Sequence, residues 1–409
     1  MRILVVGINF APELTGIGKF TGEMATWLAA RGHAVRAVSA PPYYPQWRIA
    51  AGYGGLLWRR ETVDGVRVMR CPTWVPRRQT GVRRLLHLAS FAATSLPVAL
   101  AWSVAWRPQA TIAVVPALMS APAAWLAARL GGSLAWLHLQ DLEVDAAFEL
   151  GLLPSSLARP ALAAERALLR RFDAVSTISE AMLARLSAKG VAPERRILFP
   201  NWTDLAAVAP RPDDGRLRAA LGIARDATVA LYSGNMGGKQ GLETVIEAAR
   251  RLAARGDIHF VLCGAGGARP ALEAQATGLA NVRFLDLQPL DRLGELLAFA
   301  DIHLLPQRAE ATDLVMPSKL GGMLASGRPV VAAAAPGTQL ARALVGCGAV
   351  VPPGDAAGFA AAVAALADDP EARRVAGATA RAAAERDWDR DAVLGRFEAA
   401  LLARAGDRP

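Results

Sequence analysis

Short apolar, β-branched runs alternate along the whole chain with longer stretches whose apolar residues recur at helical spacing. Strands are expected near residues 3–7, 35–39, 66–70, 111–115, 134–139, 174–178 and 197–199. A second set is expected near 228–233, 258–263, 282–285, 302–305, 330–333 and 349–351. Such runs read as strands covered on both faces by the helices between them, the mark of stacked βαβ units and parallel sheets. The first helix is expected over residues 19–31, with Gly32 as its stop. The alternation breaks at Pro200-Asn201-Trp202-Thr203-Asp204, and residues 209–215, rich in Pro and Asp, read as a linker. The pattern therefore predicts an α/β chain of two Rossmann-like, doubly wound, parallel-sheet domains. They would cover residues 1–205 and 206–385, with a terminal helix over 386–409. The length of 409 residues agrees, since one hydrophobic core seldom serves so long a chain. Ligands of such folds bind at the carboxyl ends of the strands, which predicts a cleft with the two domains facing it.

Residues 85–106 form the longest charge-free run, 22 positions between Arg84 and Arg107. By length alone it crosses a bilayer. Pro97 at its middle, several hydroxyl residues and His87 argue against that. So does its place where the βαβ pattern needs a crossover helix between strands 66–70 and 111–115. The expectation is a crossover helix partly buried in the first domain.

Charge sharpens this picture. The net charge of +10 lies wholly in residues 1–205, which carry 23 Lys and Arg against 13 Asp and Glu; residues 206–409 carry 23 of each. Eight arginines between Arg59 and Arg84 face only Glu61 and Asp64. No nucleic-acid motif accompanies them, so nucleic acid is not an expected partner. An anionic membrane surface, met through residues 77–106, is the better reading. The start MRILVVGINFAPE lacks a signal peptide's apolar core, and the three cysteines form no CxxC. The expected place is therefore the cytoplasm, peripherally on the inner face of the plasma membrane.

Four segments carry candidate chemistry. The first βα turn places Gly16 and Gly18 at a helix start, where free backbone N–H groups suit a phosphate or an acceptor hydroxyl; a plain loop is the alternative. The second domain opens with LYSGNMGGKQGLE, a strand, a Gly-rich turn with Gly234 and Asn235, and then Lys239. This is either a diphosphate cradle or a solvated lysine. In DLVMPSKL, Ser318 is expected to cap a helix that Lys319 opens. A lysine there has the wrong sign for the helix dipole, a conflict that an anionic ligand removes. In LHLQDLEVDA, His138 and Asp141 stand at a strand end, with a hydrogen-bonded core histidine as the other reading. The run Gly264-Ala265-Gly266-Gly267 lacks the acidic partner of a nicotinamide site. Asp387-Trp388-Asp389 imitates a metal-binding DxD but sits in the terminal segment, so no metal site is expected.

The GxG loop, the SGN-x-G-x-KQG turn and the PSKL…ASGRPVVA helix–strand together resemble the retaining glycosyltransferases of family 4, with the two-domain GT-B fold. The resemblance spans nearly the whole chain. It implies a nucleotide-sugar donor, a lipid-linked saccharide acceptor, no cofactor or metal, and one linkage of an exopolysaccharide. It also implies that the terminal helix crosses back to the first domain. Lys239 matches the family's diphosphate lysine, and Asn235 stands where an arginine is usual, leaving Lys319 to supply the second charge. Of the family's two glutamates, one position is Gly322 and the other Leu314. Asp313 beside it, or Glu310 upstream, is the expected carboxylate at the donor sugar, with Gly266 on the same side. A nucleotide-sugar 2-epimerase of the same fold and a non-catalytic binding subunit remain as alternatives.

Overall fold

The structure, a computed structural model, describes residues 1–14, 16–54, 56–77, 80–149, 158–308 and 316–406. The chain divides into two compact units, Met1–Asn201 with Val393–Pro409, and Trp202–Ala392.

The first unit is built on eight strands: β1 (Arg2–Gly7), β2 (Ala34–Ser39), β3 (Arg59–Val63), β4 (Val66–Arg70), β5 (Ala110–Val115), β6 (Leu134–Leu139), β7 (Ala174–Thr177) and β8 (Arg196–Leu198). Their order is β3-β4-β2-β1-β5-β6-β7-β8. All but β3 run parallel, and in the centre of the sheet Val5 of β1 lies in register with Ala37 of β2 and Ile112 of β5. Strands β5 and β6 are buried at every position because helices cover both faces. The strand order reverses between β1 and β5, which makes their carboxyl ends the natural ligand crevice of this unit.

Strand β3 was not among the expected strands. It pairs antiparallel with β4 through a turn at Asp64 (φ 43°) and Gly65 (φ 83°). Both central residues are left-handed, the geometry for which Asp-Gly is the characteristic hairpin sequence. The charge-free run forms one helix, Gly81–Trp106, between β4 and β5, with the Thr80 side chain capping its start. Its buried positions His87, Leu88, Phe91, Ser95, Ala99 and Ser103 recur every three or four residues and face the sheet layer.

The terminal helix Arg390–Gly406 enters the first unit at Val393. There Phe397 stacks on Phe199 (4.1 Å) and meets Trp136 edge-on (5.0 Å), while Glu398 takes hydrogen bonds from Arg31 and His33.

The second unit carries β9 (Thr228–Ser233), β10 (Ile258–Cys263), β11 (Val282–Leu285), β12 (Ile302–Leu305), β13 (Val330–Ala333) and β14 (Gly348–Val351), in the order β11-β10-β9-β12-β13-β14. All pairings are parallel, and the order reverses between β9 and β12. The unit begins at Trp202, a few residues before the expected boundary. Thr203 explains the shift: its N–H donates to Trp388 O (2.7 Å) and its carbonyl accepts from Arg390 N (3.1 Å). Gly321 lets that crossing close, since a Cβ there would lie 2.4 Å from Thr203 Oγ1. The DxD-like aspartates have structural roles nearby: Asp387 pairs with Arg386, and Asp389 Oδ1 accepts from Ala392 N.

Candidate active site

In the second unit the site grows from the turn after β9. Gly234 (φ 136°) donates to Cys263 O, Met236 donates to Ala265 O, and Ala268 donates back to Met236 O. The turns after β9 and β10 thus interlock. Gly264 and Gly266 are required by that contact: a Cβ would lie 1.9 Å from Gly234 O at the first and 2.3 Å from Met236 O at the second. The exposed Asn235 passes its carbonyl to the Tyr232 hydroxyl (2.6 Å). A short 3-10 turn, Gly238–Gln240, then precedes the helix Glu243–Arg251. Lys239 lies in that turn and not on the helix itself. Its side chain, and all of Glu310 and Asp313, lie outside the described residues. The last two follow β12 in sequence; β12 lies across the strand reversal from β9, and Gln307 and Arg308 after it pack on Gly241.

Lys319 comes to the same turn from the far end of the sequence. Its Nζ lies 3.9 Å from the centre of the Tyr232 ring and would be 3.3 Å from a Cβ on Gly234. It is sealed from solvent and has no hydrogen-bond partner among the described residues. Burial alone pushes its ammonium down to about 7, because the charged form has lost water and gained no anion. The expected cap is corrected here. Lys319 itself holds the N-cap position of the helix Leu320–Ala325, no side chain caps it, and Ser318 is exposed. Gly327 does end that segment, at φ 69°.

The first unit revises two expectations. Gly16 and Gly18 lie inside the first turn of the helix Gly16–Ala30, which starts earlier than expected. The anion beside Gly18 is the chain's own Glu13: a Cβ on Gly18 would sit 2.2 Å from Glu13 Oε2. That buried carboxylate accepts from Asn9 Nδ2 (2.9 Å), Tyr43 N (3.1 Å) and Tyr44 N (3.0 Å), and burial raises its pKa. Gly18 is therefore a position where a Cβ has no room. Gly18→Ala should destabilise the first unit by roughly 1–3 kcal/mol, the usual cost of overpacking. A lowered midpoint in urea unfolding checks this, and an unchanged midpoint would mean that Glu13 has another place to go.

His138 is the second correction. Gln140 Nε2 donates to its Nε2 (3.0 Å), so Nδ1 carries the proton toward Ser176 Oγ (2.9 Å). The ring is buried against Phe199, and burial pushes its pKa down to about 3. With both nitrogens engaged and no charge near neutral pH, it is a core histidine and offers no group to a substrate. Asp141 follows at the bend after β6, half-buried. Beside it, Glu143 was not singled out by sequence reasoning, nor were Glu13, Tyr43 and His87. Their partners lie far along the chain, and only the acid at the start of the short helix Glu143–Glu149 was a local signal.

Residues 15–202 match the family described as Glycosyl transferase 4-like domain, and residues 227–369 match Glycosyl transferases group 1. The glycosyl transferase WcaI of Escherichia coli (strain K12), named for colanic acid biosynthesis, is 46% identical over 348 residues, 83% of this chain and 85% of that protein. Among solved structures, sucrose-phosphate synthase from Thermosynechococcus elongatus superposes with a TM-score of 0.74 at 19% identity, covering 98% of this chain and 99% of that one. Anabaena HepE in complex with UDP-glucose superposes at 0.70 and 19% identity, covering 98% and 100%.

Proposed function

The chain belongs to the family 4 glycosyltransferases and has their GT-B fold, and we propose that it moves a sugar from a nucleotide-sugar to a lipid-linked saccharide in exopolysaccharide assembly. The relation to WcaI favours a colanic-acid-type polymer, with fucose among the donor sugars to test first. The carrying observation is the ammonium of Lys319 under the Gly234 turn, which has no hydrogen-bond partner among the described residues. A donor diphosphate there supplies the missing anion, and Lys239 on the same turn adds a second charge. Together they stabilise the departing nucleoside diphosphate without a metal. The family relation favours retention at the anomeric carbon, with departure and attack on one face.

The decisive experiment incubates the protein with GDP-fucose, UDP-glucose and UDP-galactose, with and without lipid-linked saccharide. Nucleoside diphosphate released only with acceptor supports transfer. Conversion of the nucleotide-sugar without acceptor would make it an epimerase, and binding without turnover a non-catalytic subunit.

Asp313 remains the proposed carboxylate at the donor sugar. Asp313→Asn is expected to lower kcat by more than about tenfold while leaving the Kd of free nucleoside diphosphate unchanged, because the lost contact is with the reacting sugar. Full activity in Asp313→Asn with loss in Glu310→Gln would move the role to Glu310.

The lipid carrier implies work at a membrane. One helix among the described residues, Gly81–Trp106, is long and apolar enough to cross one. Both of its ends join strands of a single sheet, which favours a peripheral contact.

A further inference from the structure

The edge of the first sheet sorts its charges by face. Successive residues of a strand point to opposite sides, so Arg59 and Glu61 of β3 share one face while Arg60 and Thr62 share the other. On the first face the polar groups are engaged. Glu61 Oε1 accepts from Arg70 Nε (2.7 Å), and the Arg59 guanidinium donates to the carbonyl of Gly52. The other face carries arginines alone. Register sets Arg36 of β2 beside Arg67 of β4, and Arg67 beside Thr62, two positions from Arg60. Among the described residues, none of these three arginines has a hydrogen-bond or ion-pair partner. Like charges side by side on a sheet face are destabilising. Burial first, and then the charges of Arg67 and Arg60, lower the pKa of Arg36.

Arg36 is also held in place. Trp102 and Trp106, one turn apart on the helix Gly81–Trp106, set their rings against its guanidinium at 5.3 and 4.3 Å. A guanidinium that rests on ring faces keeps the N–H donors at its edge for a second partner, and that edge is the fork that grips an oxyanion by two bonds. Arg36 and both tryptophans are half-buried, whereas Arg60, Thr62 and Arg67 are exposed. The cluster therefore opens directly to solvent.

These features define the chemistry of a ligand. Three cations stand on three adjacent strands, whose spacing is about 5 Å, and the Thr62 hydroxyl lies on the same face. A lone carboxylate offers two oxygens and one charge, too few to meet them all. Phosphate offers more oxygens and more charge in the geometry that the arginine fork prefers. We propose that Arg36, Arg60 and Arg67, with Thr62, form a phosphate-binding site on the edge of the first sheet. Its ligand carries phosphate either as a soluble polyphosphate or as the headgroup of an anionic lipid. Lys319 and the donor turn belong to the second unit, so this inference stands or falls apart from the transferase reading.

The test follows the indole N–H signals of Trp102 and Trp106 by NMR of the isotope-labelled full chain, assigned through Trp102→Phe and Trp106→Phe. The titrants are tripolyphosphate and monomeric dihexanoyl phosphatidylglycerol. Both signals are expected to shift and saturate. A response to tripolyphosphate alone assigns a soluble ligand, and a response to the lipid assigns a headgroup. Arg36→Gln and Arg60→Gln should each weaken binding about tenfold, the loss of one charge-assisted contact. Arg36→Lys keeps the charge but not the fork, and should lose about fivefold. Arg59→Gln removes the same charge from the opposite face of β3 and should cost less than about twofold at physiological salt. Melting curves establish that each variant is folded. Indole signals unmoved by both titrants would overturn the site. So would a loss in Arg59→Gln equal to that in Arg60→Gln, or wild-type affinity in Arg36→Lys, because either result means a diffuse basic field with no defined site.

Discussion

Lys319→Met is expected to weaken nucleoside diphosphate binding roughly 10- to 100-fold and to remove most of its pH dependence above neutrality. The magnitude is that of one charge-assisted hydrogen bond, about 1.5–3 kcal/mol. The pH dependence follows from burial. In the empty site Lys319 titrates at about 7, since nothing replaces its hydration. A bound diphosphate favours the charged form and raises that value. Between the two values, binding must take up a proton, so affinity falls by about tenfold per pH unit as pH rises above 7. The ligand does not obscure the slope, because a terminal phosphate with a pKa of about 6 is already ionised in that range. Calorimetry with UDP and GDP in buffers of different ionisation enthalpy reads the proton uptake directly. Lys239→Ala should lose comparable affinity yet keep the slope. A wild-type affinity that is flat from pH 7 to about 9 would sink the assignment. Stability carries the same signature with the opposite sign. The unfolded chain binds the Lys319 proton up to its ordinary value of 10.5, so the empty protein gains stability as pH rises from about 7 toward that value.

The fold was legible because its signals are local. Strands such as β1, β5 and β10 are continuous apolar runs that report burial on both faces, and no partner need be known to read them. Strand β3 escaped because it is polar and exposed, and its evidence lay in the Asp64-Gly65 turn and not in hydrophobicity. The candidate site was legible only where a local rule was visibly broken. Lysine at a helix start marked Lys319, and the structure sets it beside Gly234. Where the deciding partners are distant, the local reading failed. Ser176, which engages His138, is 38 residues away, and the Tyr43 and Tyr44 amides that occupy Glu13 are 30 and 31 residues away. Spacing along the chain holds no record of such contacts, so a strand-end histidine looked functional when it was packing, and the carboxylate beside Gly18 went unseen.

The proposed peripheral membrane contact has the other large expected effect, and its candidate surface is drawn from two segments. The helix Gly81–Trp106 turns His87, Leu88 and Phe91 inward and leaves Val82, Leu85 and Leu86 exposed. The loop before β3 is pinned to that helix by Trp58 Nε1, which donates to Thr94 O (3.0 Å), and it exposes Leu56 (87%) and Leu57 (83%). Trp74, also exposed, is tied to the same helix through its N–H to Ser90 Oγ (3.0 Å). Arg77 and Arg83 are exposed beside these apolar residues, whereas Arg84 is half-buried; Arg78 lies outside the described residues. Apolar side chains with tryptophans and a basic rim suit the interface of an anionic bilayer. Replacing Arg77 and Arg83 by Gln should cost about 1 kcal/mol each near such a surface, roughly 30-fold together. Leu56→Ser with Leu57→Ser should cost at least as much, since burying one leucine contributes about 1.5–3 kcal/mol. The two losses differ in kind: the arginine term is screened by salt and the leucine term is not. Co-sedimentation with phosphatidylglycerol-containing vesicles at low and high salt separates them. Binding that weakens in each double variant and vanishes in the quadruple variant supports the peripheral surface. Resistance to carbonate washing would argue for a spanning helix, and a wild-type chain that ignores anionic vesicles at low salt would remove the membrane from the account.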